Sequence, residues 1–382
     1  MGHSMLVKSL FWLSVCLVAY EYAGHPALLF LLARMRPRKW LQDDVKLSVA
    51  VFISAYNEEK GLGAKIRNVL DQDYQGPYTI IVSSDGSIDR TAEIARSFND
   101  PRIILHDFKA NRGKAAMQNE IIPALPNDVV IFSDATSVWP KDAVRNIVRN
   151  FADSDVGCVA VDLCFVSENN GVVEKGQGAY WKYERFLRRY GALVRTNIVA
   201  SGTTYAIRKS LFRPIRSDIG EDLSNPLQIA MTGRRVIFDP EIVVEEKSSS
   251  THASEIRMRK RIAVRNVTGL ASYVKFLNPR YGFAAYQLFV HKYLRVFCWA
   301  PMLIALFTNY LLRDAVPYSY LFIMQAAVYL LALIGYMSVR MGTRVSRFTY
   351  LPYYFALLNF ACMMGVIQYV RGVRRPTWTP DR

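Results

Sequence analysis

Three short apolar runs in this chain each end on polar residues able to bind or to catalyse. Leu47–Ser54 (LSVAVFIS) leads into Ala55-Tyr56-Asn57-Glu58, Tyr78–Ser83 (YTIIVS) into Ser84-Asp85-Gly86-Ser87-Ile88-Asp89, and Asp128–Ser133 (DVVIFS) into Asp134. Carboxylates accept hydrogen bonds, hold hard cations and take up protons, so these positions are candidates for all three roles. Asn111-Arg112-Gly113-Lys114 opens a helical stretch and sets a lysine beside a helix N-terminus, an arrangement that favours phosphate. Glu221-Asp222 heads another helix and, taken alone, reads as an acidic helix start. Singly, each of these is an ordinary turn or cap: Gly86 supplies unusual backbone angles and Asp89 can cap the adjoining helix. Neither G-x-G-x-x-G nor G-x-x-x-x-G-K-[ST] occurs, which removes support for dinucleotide and P-loop chemistry. The five cysteines (16, 158, 164, 298 and 362) lack C-x-x-C spacing. A disulfide framework and a zinc site are therefore disfavoured, and a reducing compartment suits the polar part of the chain.

The elements that must position these residues alternate. Strands are expected at the three runs above and at Arg102–Leu105, with helices over Glu59–Leu70, Asp89–Phe98, Gly113–Ile122 and Pro140–Phe151. Buried strands alternating with helices predict an α/β fold on a parallel sheet covered on both faces. Ligands in such sheets bind at the carboxyl ends of the strands, which gathers Glu58, Asp85 and Asp134 on one rim with Lys114 beside them.

The remainder of the chain is apolar. Of 382 residues, 51% are hydrophobic and 21% charged, which excludes a disordered chain or a coiled coil. Met5–Leu32 is almost continuously apolar and is followed at once by Arg34, Arg36, Arg38 and Lys39, the pattern of an uncleaved anchor with its basic end in the cytoplasm. Met1–Ser4 reads as a short expression remnant ahead of Met5. Leu294–Leu312, Val316–Val339 and Phe348–Val370 are three further spanning candidates, and Tyr281–Arg295 looks interfacial. Three more crossings would carry Arg371, Arg374 and Arg375 to the outside, against the positive-inside tendency, so the number of crossings stays open. The expected organisation is an anchor over 1–40, a soluble domain over 41–270 that faces the cytoplasm, and an interfacial helix with a membrane bundle over 271–382. The net charge of +16 suits anionic partners. Much of it flanks apolar segments without a nucleic-acid-binding motif, so nucleic acid is not an expected partner. A transporter is disfavoured because these segments are nearly charge-free, apart from Lys8, Glu21 and, near one end, Arg295.

The motifs in order resemble the family 2 glycosyltransferases, the inverting, membrane-attached group that includes cellulose, chitin and hyaluronan synthases. The resemblance rests on Ser54-Ala55-Tyr56-Asn57-Glu58-Glu59, Val82 to Thr91 (VSSDGSIDRT), Asn111-Arg112-Gly113-Lys114, Phe132-Ser133-Asp134-Ala135-Thr136, Gly220-Glu221-Asp222 and Arg259-Lys260-Arg261-Ile262. Tyr22-Ala23-Gly24-His25-Pro26 in the anchor and the Trp378–Arg382 tail also fit its shorter members.

The resemblance implies a GT-A fold, a Rossmann-like mixed sheet. It assigns Ala55, Tyr56, Glu58 and Asp85 to the base and ribose of a UDP-sugar, and Lys114 with Arg259 and Arg261 to its phosphates. Asp134 matches the first acid of a D-x-D motif that holds Mg²⁺ or Mn²⁺; Thr136 replaces the second acid, which leaves one protein carboxylate for the metal. Asp222 matches the catalytic base, and Glu221, Ser201, Gly202 and Trp181 fall in the acceptor region. The implied activity is transfer of a hexose to a lipid-linked or saccharide acceptor in polysaccharide or glycolipid synthesis, with membrane lipids and other polysaccharide-assembly proteins as partners. A processive synthase and a non-catalytic nucleotide-sugar-binding partner of a synthase are the alternatives. Where processive relatives carry Q-R-x-R-W, Met258 and Ile262 replace the glutamine and tryptophan, which takes away an aromatic platform for the growing chain.

Overall fold

The computed structural model describes residues 2–166, 172–247, 252–341, 343 and 346–374. Arg344, Arg375 and the Trp378–Arg382 tail lie outside these residues. In chain order the helices are α1 (Gly2–Ala19), α2 (His25–Met35), α3 (Leu62–Leu70), α4 (Thr91–Ser97), α5 (Lys114–Ile121), α6 (Ala143–Val148), α7 (Val172–Val194), α8 (Glu221–Met231), α9 (His252–Tyr273), α10 (Phe283–Gln287), α11 (Arg295–Phe297), α12 (Trp299–Leu312), α13 (Tyr318–Arg340) and α14 (Arg347–Val370). The strands are β1 (Val49–Ala55), β2 (Tyr78–Asp85), β3 (Ile103–Phe108), β4 (Val129–Asp134), β5 (Val156–Val166), β6 (Thr204–Arg208) and β7 (Arg235–Lys247).

The strands form one seven-stranded sheet in the order β3-β2-β1-β4-β6-β5-β7. Every residue of β1 is buried, as a central strand covered on both faces requires. Helix α3 turns Leu62, Ile66 and Val69 into this core at helical spacing. The expected parallel sheet holds for β1–β4, but β6 runs antiparallel to both β4 and β5, so the sheet is mixed. The reversal comes at the turn before β6, where Ser201 and Thr204 bridge and the Asp134 N–H donates to the Thr203 carbonyl at 3.0 Å. A five-residue strand entered from a turn carries no alternation by which sequence periodicity could detect it. Register aligns the strand ends: Ser54 pairs with both Ser83 and Asp134, and Ala55 with Ser84.

The described residues hold three helices long and apolar enough to cross a membrane, Met5–Met35, Tyr318–Arg340 and Phe348–Val370. The first contains a π-helical turn at Tyr20–Gly24, just ahead of Pro26. Proline cannot donate to the preceding turn, and the wider turn accommodates it. The expected straight span at Leu294–Leu312 is instead a bent pair, Phe283–Phe297 and Trp299–Leu312, meeting at 54°. Fourteen residues of α12 reach only about 21 Å, short of the ~30 Å apolar slab. Within the expected interfacial stretch Tyr281–Arg295, Leu288, Val290 and His291 are buried. The chain leaving the first apolar helix is fastened to α7, because the Arg235 guanidinium donates to the carbonyls of Arg38 (2.6 Å) and Lys39 (3.0 Å) and to that of Ala192 on α7 (3.0 Å).

Candidate active site

Two loops at the sheet rim bind each other through the expected motifs. The Asn57 N–H donates to Ser87 Oγ (3.1 Å), the Ile88 N–H to Asn57 Oδ1 (2.9 Å), the Glu58 N–H to Thr91 Oγ1 (2.7 Å) and the Glu59 N–H to Asp89 Oδ2 (3.1 Å). Asn57 takes φ +53°, an uncommon conformation for a residue with a side chain, and this crosslinking holds it there. Gly86 has φ +70°, and a Cβ on it would come within 2.5 Å of the Ala110 carbonyl carbon, so only glycine fits. Both oxygens of buried Asp85 accept backbone N–H groups at 2.8 Å, from Arg112 and Gly113. Asp85 thereby fixes the loop that delivers Lys114 as the first residue of α5. Ala55 and Glu58 are buried beside it, and Tyr56 is partly exposed.

A line of alternating charges crosses the rim. Lys114 Nζ is ion-paired with Asp134 Oδ1 and lies 3.9 Å from Glu221 Oε1, while an Arg265 nitrogen stands 3.5 Å from Glu221 Oε2. Burial raises the Asp134 carboxyl above its ordinary range despite the lysine. Burial also works against the Lys114 ammonium, but the charges of Asp134 and Glu221 outweigh it and hold it above its ordinary range. On the far side of Asp134, buried Lys65 donates to the Ser137 carbonyl and Oγ, both at 3.0 Å, and stacks on Trp139. Burial pushes this lysine well below its usual range, against the pull of Asp134.

Asp222 follows Glu221 in the first turn of α8. Its carbonyl accepts the Ala200 N–H at 2.9 Å, which ties the helix start to the segment before β6. A Cβ on Gly202 would lie 3.7 Å from Asp222 Oδ2, so the carboxylate looks onto bare backbone. Burial, then the neighbouring Glu221 charge, raises the Asp222 carboxyl above its ordinary range, while Lys292, Arg265 and Arg188 oppose the rise. Ser201 is buried beside Gly202, and Thr203 Oγ1 donates to Glu246 at 2.6 Å.

The fold thus gathers Lys114, Asp134, Glu221 and Asp222, with Ser201 and Gly202 at their edge. Arg259, on α9, donates to the Tyr354 hydroxyl at 2.8 Å and stacks over Tyr180 and Tyr354. Arg261 is partly buried on the same helix. Trp181 carries the Arg188 guanidinium over its ring. Sequence reasoning missed Lys65, Arg265, Lys292, Arg188 and Glu184, for which no spacing pattern exists. Glu184 on α7 is ion-paired with Arg295, and Arg295 in turn with Glu21 at 2.8 Å. A buried charge in an apolar setting needs such a partner, so an unexplained buried Glu21 was the one available signal.

Among the described residues no three His, Cys, Asp or Glu side chains cluster to hold a metal. Asp134, with the Thr136 hydroxyl two residues on, offers a single carboxylate. That donor set fits a hard cation completed by phosphate oxygens, and does not fit a self-sufficient metal centre.

Residues 50–216 match the sequence family described as Glycosyl transferase family 2. An N-acetylglucosaminyltransferase of Azorhizobium caulinodans is 26% identical over 257 residues, covering 60% of this chain and 64% of that protein. The poly-beta-1,6-N-acetyl-D-glucosamine synthase of Staphylococcus aureus is 32% identical over 198 residues, 50% of this chain and 48% of that protein. The chain therefore spans less than two-thirds of either relative's length. Among solved structures, a mannosyltransferase from Pyrobaculum calidifontis in complex with GDP-Man and Mn²⁺ superposes with a TM-score of 0.71 at 21% identity, over 94% of this chain and 99% of that one. At that identity the likeness speaks for the fold, a GT-A sheet with apolar helices at both ends.

Proposed function

With residues 50–216 forming a glycosyl transferase family 2 domain, we propose that the chain moves a sugar from a nucleotide-diphosphate donor, UDP-linked, to a hydroxyl of a lipid-linked or saccharide acceptor, with inversion. The observation that carries this reading is the adjacency of two chemistries on α8. Glu221 completes the Asp134–Lys114 charge line, and Asp222, the next residue, opens onto Gly202.

Asp222 takes the proton from the acceptor hydroxyl, the freed oxygen forms a bond to the anomeric carbon, and the bond from that carbon to the phosphate oxygen breaks. A base in this position contributes about 10² to 10⁴ in rate. Its raised carboxyl suits it to accept a proton and release it afterwards. Lys114 turns from Asp134 towards the departing diphosphate and stabilises the charge that develops there. Mg²⁺ or Mn²⁺, held by Asp134 and completed by phosphate oxygens, would supply further neutralisation of the diphosphate. The Mn²⁺ and GDP-Man bound to the solved neighbour support a divalent ion and a nucleotide sugar. Residues 41–270 form the catalytic domain, facing the cytoplasm, and the apolar helices on either side hold it at the membrane where a lipid-borne acceptor is presented.

The experiment is incubation of the purified protein in detergent with a panel of nucleotide sugars, measuring nucleotide release with and without membrane lipids. Asp222→Asn is expected to keep nucleotide binding and to lose turnover by roughly 10² or more. Release by the wild type from none of the sugars, or undiminished release by the variant, overturns the reading.

A further inference from the structure

Helix α9 meets the site through an arginine that belongs to none of the motifs. Arg265 Nη2 donates to the Ile219 carbonyl at 2.7 Å, and the same nitrogen lies 3.5 Å from Glu221 Oε2. Ile219, Gly220 and Glu221 are the three residues that lead into Asp222. The corner has little slack: a Cβ on Gly220 would stand 2.6 Å from Asp222 Oδ1. Helix α9 also approaches α8 closely at Gly269, where a Cβ would meet Leu223 Cδ2 at 2.9 Å and Ile219 Cγ2 at 3.0 Å. On its other side α9 is packed against α14 at Gly365, where a Cβ would come within 2.8 Å of Ala263 Cβ. Two close approaches therefore connect an apolar, membrane-length helix to the corner that carries the carboxylate. Close-packed contacts of this kind transmit displacement rather than absorb it.

We infer that Arg265 is a positioning residue for Asp222, and that α14, through α9, fixes where that carboxylate stands. The inference rests on the reading of Asp222 as the base. A planar guanidinium can satisfy a carbonyl and a carboxylate together, and holds both in a fixed relation. A lysine ammonium at this place keeps the charge but not that geometry. Since misplacement of a reacting group by about 1 Å costs on the order of 10² in rate, loss of the clamp acts on the chemical step.

The test uses the full chain in detergent, with the nucleotide sugar of the panel that the wild type turns over. Arg265→Gln is expected to lower kcat by roughly 10- to 100-fold. The donor KM stays within about threefold, because the lost contact serves the step and not donor binding. Arg265→Lys recovers part of the loss. Gly365→Leu, far from any substrate, lowers kcat severalfold with the donor KM unchanged. Retained nucleotide binding by calorimetry separates these effects from misfolding. Wild-type kcat in Arg265→Gln, a donor KM raised in proportion to the loss, or a lysine variant no better than glutamine overturns the inference while Asp222→Asn remains inactive. A fully active Asp222→Asn removes the base assignment itself, and this inference with it.

Discussion

Gly202 and Asp222 face one another across the gap between the turn before β6 and the start of α8, where a Cβ on the glycine would stand 3.7 Å from Oδ2. In the proposed reaction the acceptor hydroxyl enters through this gap. Four neighbours set the charge of the carboxyl: Glu221 on its own helix, and the cations Lys292 in the bent segment before α12, Arg265 on α9 and Arg188 on α7. Burial and Glu221 prevail, and the group is raised. A base works ionised, so turnover should fall as pH drops through a value above the ordinary ~3.9 of an aspartate. A pH–rate profile of the wild type checks this, and a profile still flat at about pH 4 would contradict it. Gly202→Ala should fold normally and turn over more slowly, because its methyl occupies the approach.

Asp134→Ala should abolish metal-dependent nucleotide binding, since no neighbouring group of acids among the described residues can take over. It also removes a partner of Lys114. Metal-independent binding of UDP is then expected to persist or to strengthen, because the lysine is released to the phosphates. Calorimetry with and without Mn²⁺ distinguishes the two contributions; unchanged Mn²⁺–UDP affinity would place the ion elsewhere.

Arg295 serves two carboxylates, Glu21 in the anchor and Glu184 on α7. Arg295→Met leaves both without their main cation and should cost several kcal/mol, about the 3–5 typical of a broken buried pair. Glu21→Gln, which leaves Arg295 with Glu184, should cost less. Thermal unfolding in detergent gives the order: a loss from Glu21→Gln equal to that from Arg295→Met would contradict it, and no loss at all from Glu21→Gln would show that Glu21 contributes nothing to the network.

The product should be short. An aromatic face that holds a sugar is worth on the order of 1 kcal/mol, and Ile262 offers none. The two rings that could replace it are already engaged, with Arg188 over Trp181 and Arg259 over Tyr180. Sizing the radiolabelled product of the purified protein checks this: a singly glycosylated lipid or short oligosaccharides are expected, and a high-molecular-weight polymer cleaved by a matching glycanase would be the contrary result.

The first four strands and the rim they build were legible in the sequence because both signals are local. β-branched runs identify β1, β2 and β4, and each ends on its polar residue within a few positions. Strand β6 was not legible, being five residues long and defined by partners 45 or more residues away. The motif loops were found, but not their internal hydrogen bonding: Asp85 is legible as an acid at a strand end, and only the structure reveals that both of its oxygens hold the Lys114 loop. Arg265 lies beyond every motif and acts on residues 46 positions earlier, a relation no window can reveal. The bend after Phe297 escaped for the opposite reason, since hydropathy reads through a 54° turn as though it were straight.

The ion pair of Glu21 and Arg295 joins residues 274 positions apart. The chain is made from its N-terminus, so the anchor is synthesised long before its partner exists. Until then a buried acid stands unmatched in an apolar helix, at a cost of a few kcal/mol. The first apolar helix is therefore made as an unfinished part, and its pairing is completed only when the segment carrying Arg295 is made. A chain truncated before Arg295 would carry Glu21 without its cation.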